Sequence, residues 1–155
     1  MNAIELLKQD HVIVKQMLEK LSATTDRAVK TRTELLNRIH DELAIHTEIE
    51  EQIFYPAYVQ AGGEEEANMF YEAKEEHRTV ENLVLPDLLA TPPDSVPFAG
   101  RVKVLKELLE HHIQEEEKEM FPQAQKLLGK TRLEELGAEM ESRKRQMKHS
   151  MNHAA

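Results

Sequence analysis

Among its 155 residues the chain has no cysteine and no tryptophan, and only five glycines, six prolines and 5% aromatic residues. The missing cysteine excludes disulfides, iron–sulfur clusters, thiolate zinc sites, cysteine nucleophiles and thioether-linked haem. Any metal must then be held by His, Asp or Glu. Few aromatics and few turn formers argue against a β-sandwich or barrel and for a helical fold. Excess positive charge is missing too: 20 Lys+Arg against 29 Asp+Glu leave −9, which opposes attraction to nucleic acid or anionic lipid. The most apolar stretch, 83–90, contains Pro86 and Asp87 and falls far short of the roughly 20 residues that cross a bilayer. The first residues already include Glu5 and lack the basic-then-apolar order of a secretory signal. The expectation is a cytoplasmic, helical domain with neither nucleic acid nor membrane as partner.

What is present is helical periodicity. Asn2 followed by Glu5 carries a capping signature, and Ile4, Leu7, Val14, Met17, Leu18 and Leu21 predict a first helix to about Leu21. After a turn at 24–26, Leu35, Leu36, Ile39, Leu43, His46, Glu50 and Ile53 predict a second, ending at Pro56. Gly62-Gly63 and three acids at 64–66 open a third, which Pro86 ends or kinks. Following a loop at 91–95, Val102, Leu105, Leu108, Leu109, His112, Glu116 and Met120 predict a fourth, up to Pro122. Gly129 and a capping box from Thr131 to Glu134 introduce a fifth, with Leu133, Leu136, Met140 and Met147 on one side. That apolar stripe covers the bundle or pairs with a partner protein or second copy, while the basic run 143–145 reads as its solvated side.

Shifting the sequence by 66 residues superposes His11 on His77, His46 on His112, Glu50 on Glu116, Glu51 on Glu117 and Pro56 on Pro122. Near-matches follow at the same offset: Asp10 with Glu76, Val14 with Val80, Tyr55 with Phe121. In an antiparallel hairpin two residues share a level when they are equally far from the turn. The midpoints between successive histidines fall at 28–29, 61–62 and 94–95, each in or beside a turn assigned on other grounds. An up-down-up-down four-helix bundle therefore brings His11, His46, His77 and His112 to one level.

His46 with Glu50, and His112 with Glu116, stand one helical turn apart and point the same way. Four imidazoles and two carboxylates exceed what one ion needs. If both carboxylates bridge, two ions each receive two nitrogens and two oxygens, an incomplete shell that suits iron or manganese better than closed tetrahedral zinc. The Glu-x-x-His code of ferritin-like di-iron bundles is absent, since Lys8, Leu43, Lys74 and Leu109 stand three residues before the four histidines.

The pattern resembles the hemerythrin-like, or HHE cation-binding, family, through Asp10-His11, His46 to Pro56, Glu76-His77 and His112 to Pro122. The resemblance spans residues 1–126 as one four-helix unit and leaves 127–155 as a C-terminal helix and tail. It implies an all-α bundle holding two iron ions, with a bridging oxo or hydroxo, that binds or reacts with O2, peroxide or NO. Oxygen carriers of the family have a fifth histidine in the third helix, where this chain has Ala73 and Glu81. That departure favours catalase-like peroxide breakdown over reversible oxygen carriage. The alternative is a sensor of oxygen, iron or NO, or an iron-buffering module, with the fifth helix as transmitter.

Glu81 remains a candidate ligand although its repeat partner is Lys15, and Tyr55 a candidate hydrogen-bond donor. Asp10 and Glu76 are candidate acceptors for an imidazole N–H. Glu48 and Glu51 read as solvated acids, and His40, His111, His149 and His153 as surface residues. Phe54, Tyr55, Met120 and Phe121 read chiefly as core, and no separate substrate pocket is legible.

Overall fold

Asn2 opens α1 (Ala3–Ser22) with the expected capping box: its side chain accepts from the Glu5 N–H at 2.9 Å, and the Glu5 carboxylate accepts from the Asn2 N–H at 3.3 Å. In the computed structural model, which describes residues 1–153 and His153 by its backbone alone, three longer rods follow. The first joins α2 (Val29–Ile49), a π-helical turn π1 (Glu50–Phe54) and α3 (Tyr55–Ala61). The second joins α4 (Glu64–Thr79), π2 (Val80–Val84) and α5 (Leu85–Leu89). The third joins α6 (Val96–Glu115), π3 (Glu116–Met120) and the start of α7 (Phe121–His153). α1 packs on α2 and α6, and the second rod on α3 and α6, which gives the four-helix bundle. No strand occurs among the described residues.

Pro56 and Pro122 do not end their helices, contrary to expectation, and of the two outcomes expected at Pro86 the helix does not end there either. Pro56, Pro86 and Pro122 each stand two residues beyond a π-turn, and the chain stays helical through all three. Proline lacks an N–H and crowds the carbonyl four residues back, here Gln52, Asn82 and Lys118, each within the π-turn. Widening that turn by one residue relieves the crowding, and the Tyr55, Leu85 and Phe121 N–H groups reach the Glu50, Val80 and Glu116 carbonyls instead. The widening also changes which residues share a face. Side chains five apart in an α-helix diverge by about 140°. Across π1 and π3, Glu50 with Tyr55 and Glu116 with Phe121 are all buried.

Gly129 turns the chain at φ +76°, a left-handed conformation that glycine takes without penalty, and α7 leaves in a new direction. Two helical stretches meet at non-helical Gly129, so the fifth helix follows that glycine as expected. Leu133, Leu136 and Met140 are buried in one cluster with Leu6, Leu7, Ile49 and Phe54, while Met147 is half-buried; the apolar stripe covers the bundle. At Gly137 the contact is so close that any Cβ would lie 2.8 Å from the Asn2 carbonyl carbon and 2.9 Å from the Ala3 nitrogen. Only glycine lets α7 approach the start of α1 in this way.

The core has two parts. One, around Phe54, Tyr55, Phe121 and α7, lies at one end; the other, around Leu18, Ile39, Leu88 and Leu105, lies at the opposite end. There buried Arg32 ties two loops together, donating to Thr24 Oγ1 at 3.0 Å, the Thr24 carbonyl at 3.1 Å and the Pro93 carbonyl at 2.5 Å, with its guanidinium 4.7 Å from the Phe98 ring centre. Between the two apolar parts sits a polar layer.

Candidate metal centre

The layer contains His11 from α1, His46 from α2, Glu50 from π1, His77 from α4, His112 from α6 and Glu116 from π3, all buried. Each imidazole is held from outside by a carboxylate on another helix. His11 Nδ1 meets Glu117 at 2.7 Å, His46 Nδ1 Asp10 at 3.0 Å, His77 Nδ1 Glu51 at 3.0 Å and His112 Nδ1 Glu76 at 2.9 Å. The two-fold repeat is kept, for the offset that relates His11 to His77 relates Glu117 to Glu51 and Asp10 to Glu76. An acceptor on Nδ1 fixes the tautomer and leaves Nε2 free to bind on the inner side.

All four Nε2 atoms point at the two buried carboxylates. Glu50 Oε1 lies 3.2 Å from both His46 and His77, and Glu116 Oε1 lies 3.2 Å from both His11 and His112. These approaches do not have hydrogen-bond geometry at every atom: His11 Nε2, His46 Nε2, both Glu50 oxygens and Glu116 Oε1 are buried without a hydrogen-bond partner. Buried carboxylate oxygens without a donor are costly, and a cation among them removes the cost. His11, His46, Glu50 and Glu116 each offer an atom within 4.8 Å of the others, as do Glu50, His77 and His112. The donor set is nitrogen and oxygen only, divided into two overlapping groups that share Glu50, each with the residue types that can hold a metal ion.

Tyr55 breaks the symmetry. Its ring stacks on His77 as Phe121 stacks on His11, but its hydroxyl donates to Glu116 Oε2 at 2.8 Å. Burial, with Glu116 and Glu50 nearby, pushes that phenol well above its ordinary range, so it stays a donor.

Glu51, read from sequence as solvated, holds His77 instead, and Glu117 does the same for His11. The 66-residue offset already paired them and was the signal that could have found both. The basic run is not merely solvated either: Lys144 pairs with Asp10, and Arg143 with Glu48 at 3.0 Å. Glu81 is exposed and belongs to neither half of the layer; it lies at the rim of a cavity. This cavity, about 190 Å³ and largely apolar, is lined by Val14, Leu43, Val80 and Leu109 and reaches all four histidines. The pocket that the sequence did not reveal thus opens onto the layer from the side away from α7. His40, His111 and His149 are exposed as expected, and the His153 side chain lies outside the described residues.

A family model for the hemerythrin HHE cation-binding domain matches residues 2–124. The chain belongs to this HHE family. Uncharacterized Mycobacterium tuberculosis protein Rv2633c is 31% identical over 97% of this chain and 89% of its own length. The crystal structure of an HHE cation-binding domain-containing protein from Mycobacterium kansasii, an Rv2633c homolog, superposes with a TM-score of 0.85 at 32% identity, covering 99% of this chain and 91% of that one. A Nostoc protein named DNA nickase is 24% identical over 93% of this chain but only 39% of its own length. The HHE family model stops at residue 124, so most of α7, including Gly129 and Lys144, lies beyond it.

Protonation of the layer has a testable sign. Burial disfavours the charged imidazole of His46, but Glu50 and Asp10 outweigh it and push His46 up to about 10. His77 and His112 are raised against the same burial, by Glu50 and Glu51 and by Glu116 and Glu76 respectively. A raised imidazole stabilises the metal-free fold fully below its ordinary value near 6.5, and that stability is lost as pH climbs towards about 10. A cation must displace those protons. Melts of metal-free protein are therefore expected to fall from pH 6.5 to 10 while those of loaded protein hold, and metal addition near pH 7 is expected to acidify a weakly buffered solution. Coincident melting profiles with and without metal would contradict this.

Proposed function

We propose that the chain is a non-haem di-iron protein that reacts with a small oxygen species, hydrogen peroxide foremost, with O2 and NO as further ligands. The observation that carries this reading is the inward set of unpartnered imidazole and carboxylate atoms, each imidazole fixed from behind by an acid. His11 and His46 would hold one ion, His77 and His112 the other, with Glu50 and Glu116 between them. Two iron ions held there would supply a two-electron couple, by which oxidation of one peroxide to O2 and two protons would be balanced by reduction of a second, with two protons, to two waters.

The chain's own residues arrange the rest. The largely apolar cavity gives a small neutral molecule a way to the histidines. Tyr55 holds Glu116 Oε2, fixing one carboxylate between the halves and placing a hydroxyl at the layer. Ala73, buried in α4 one turn before His77, supplies no fifth nitrogen, which leaves a mixed nitrogen and oxygen shell suited to iron.

Protein purified after iron-replete growth is expected to hold close to two irons per chain and, at an oxygen electrode, to evolve O2 from peroxide faster than metal-free protein with equal free iron. One firmly bound zinc without iron uptake would overturn the di-iron reading. Two irons with no more O2 than the free-iron control would favour the sensor or iron-buffering reading, which has its own support in the Lys144–Asp10–His46 link from α7 to the layer. No helix among the described residues is long and apolar enough to cross a membrane, and the −9 charge of the chain speaks against nucleic acid as partner.

A further inference from the structure

The two halves of the repeat part company on the bundle surface, at the end of the layer that carries Glu50 and Glu116. Between α4 and π3 a small opening of about 20 Å³, room for roughly one water or ion, leads from the surface to His112 and Glu116. Glu72, Glu76, Glu115 and Glu119 line it, and exposed His111 stands beside them, 3.0 Å from Glu115 and 3.9 Å from Glu76. Glu116, which helps line it, is buried, and its Oε1 has no hydrogen-bond partner. The offset of 66 gives the equivalent positions on the other side of the bundle: Leu6 for Glu72, Ile45 for His111, Ile49 for Glu115 and Ile53 for Glu119. Those are apolar; Leu6, Ile45 and Ile49 are buried, and Leu6, Ile49 and Ile53 pack in the cluster that α7 completes. Helix propensity and bundle packing accept isoleucine or leucine at these places. The open side, which α7 leaves uncovered, instead gathers four acids around a passage that reaches two residues of the layer.

From this we infer that the acidic opening between α4 and π3 is the entry site for divalent metal ions, capturing a hydrated cation at Glu72, Glu115 and Glu119 and passing it to Glu116. The inference rests on the proposed metal centre. Closely set acids at the mouth of a low-dielectric passage raise the local cation concentration and the rate of capture. His111 adds a nitrogen donor at the rim, and Glu76, which holds His112 through Oε1, turns Oε2 towards it. The apolar cavity on the other side of the layer suits neutral molecules, so cation and substrate reach the layer by different openings.

The test mixes metal-free protein with Co2+ alone in a stopped-flow instrument and follows the visible absorption of the bound ion, with metal analysis after desalting as end point. Replacing Glu72, Glu115 and Glu119 together by glutamine is expected to slow loading about tenfold or more while leaving the final cobalt content unchanged. A control with Glu34→Gln, Glu107→Gln and Glu134→Gln removes three exposed acids elsewhere and is expected to slow loading less than about twofold. Glu119→Lys alone is expected to slow it too, and added salt to slow wild type more than the triple variant. Equal slowing by both triple variants would reduce the effect to net charge, and unchanged rates would place the entry elsewhere; either result overturns the inference while leaving the metal centre standing. Failure of wild-type protein to bind cobalt or iron at all would overturn the centre itself, and the entry site with it.

Discussion

Glu116→Ala is expected to strip the protein of both metal ions rather than one. Glu116 Oε1 lies 3.2 Å from His11 on one side and 3.2 Å from His112 on the other, and these histidines belong to different halves of the layer. Glu50 spans His46 and His77 in the same way, so Glu50→Ala is expected to match it. Burial opposes a charge on Glu116, yet the imidazoles of His112 and His11 hold its carboxyl well below the ordinary range, so at neutral pH it meets a cation as an anion. Loss of a residue that merely orients a ligand weakens binding roughly 10–100-fold; loss of a shared ligand is expected to exceed that. Iron content after desalting should fall from near two per chain to below one, whereas His40→Ala, exposed and next to Asp41, should leave it unchanged. Retention of two ions at native affinity by either glutamate variant would remove that carboxylate from the site.

The equivalence of Glu50 and Glu116 was legible in the sequence because it is a property of spacing: four residues after histidine on one helix, twice, at a fixed offset. Levels along a bundle also follow from spacing, since turns set where antiparallel helices meet, and the level of the four histidines was readable for that reason. What lay beyond reach depends on rotation and on long-range approach. Tyr55 and Phe121 were readable as core, but the π-turns before them were not, because proline reads in a sequence as a stop unless the neighbouring turn is known to widen. Glu51 and Glu117 face histidines on other helices, and helical periodicity alone assigns both to the solvated side. Lys144 reaches Asp10 across 134 residues, and no local pattern connects them. A cavity is an absence of side chains, set by how Val14, Leu43, Val80 and Leu109 happen to pack, and leaves no motif.

The reach of Lys144 makes Asp10 unlike the three other acids that hold histidines. Asp10 is buried, and while one oxygen takes His46 Nδ1 at 3.0 Å the other pairs with Lys144 on α7. Its repeat partner Glu76 pairs with His112 and lies 3.9 Å from exposed His111, and among the described residues no lysine is paired with it. Asp10→Ala is accordingly expected to act twice. Metal affinity should fall roughly 10–100-fold as His46 loses its support, and the metal-free fold should lose up to about 3–5 kcal/mol, the cost of breaking a buried pair, less whatever Lys144 recovers by swinging to water. Glu76→Ala should lower metal affinity by a similar factor with little effect on the melting of metal-free protein, because no part of α7 is anchored there. Lys144→Met keeps the packing of the side-chain stem and removes only the charge, so it should fall between wild type and Asp10→Ala in both measurements. In a double-mutant cycle the pair should show coupling of about 0.5–3 kcal/mol in metal-free stability, and a coupling in iron affinity of the same sign. Additive effects on iron affinity would mean that α7 covers the bundle without sensing the layer beneath it; coupled effects would make the position of α7 depend on whether His46 is holding a metal, which is what a sensing role requires.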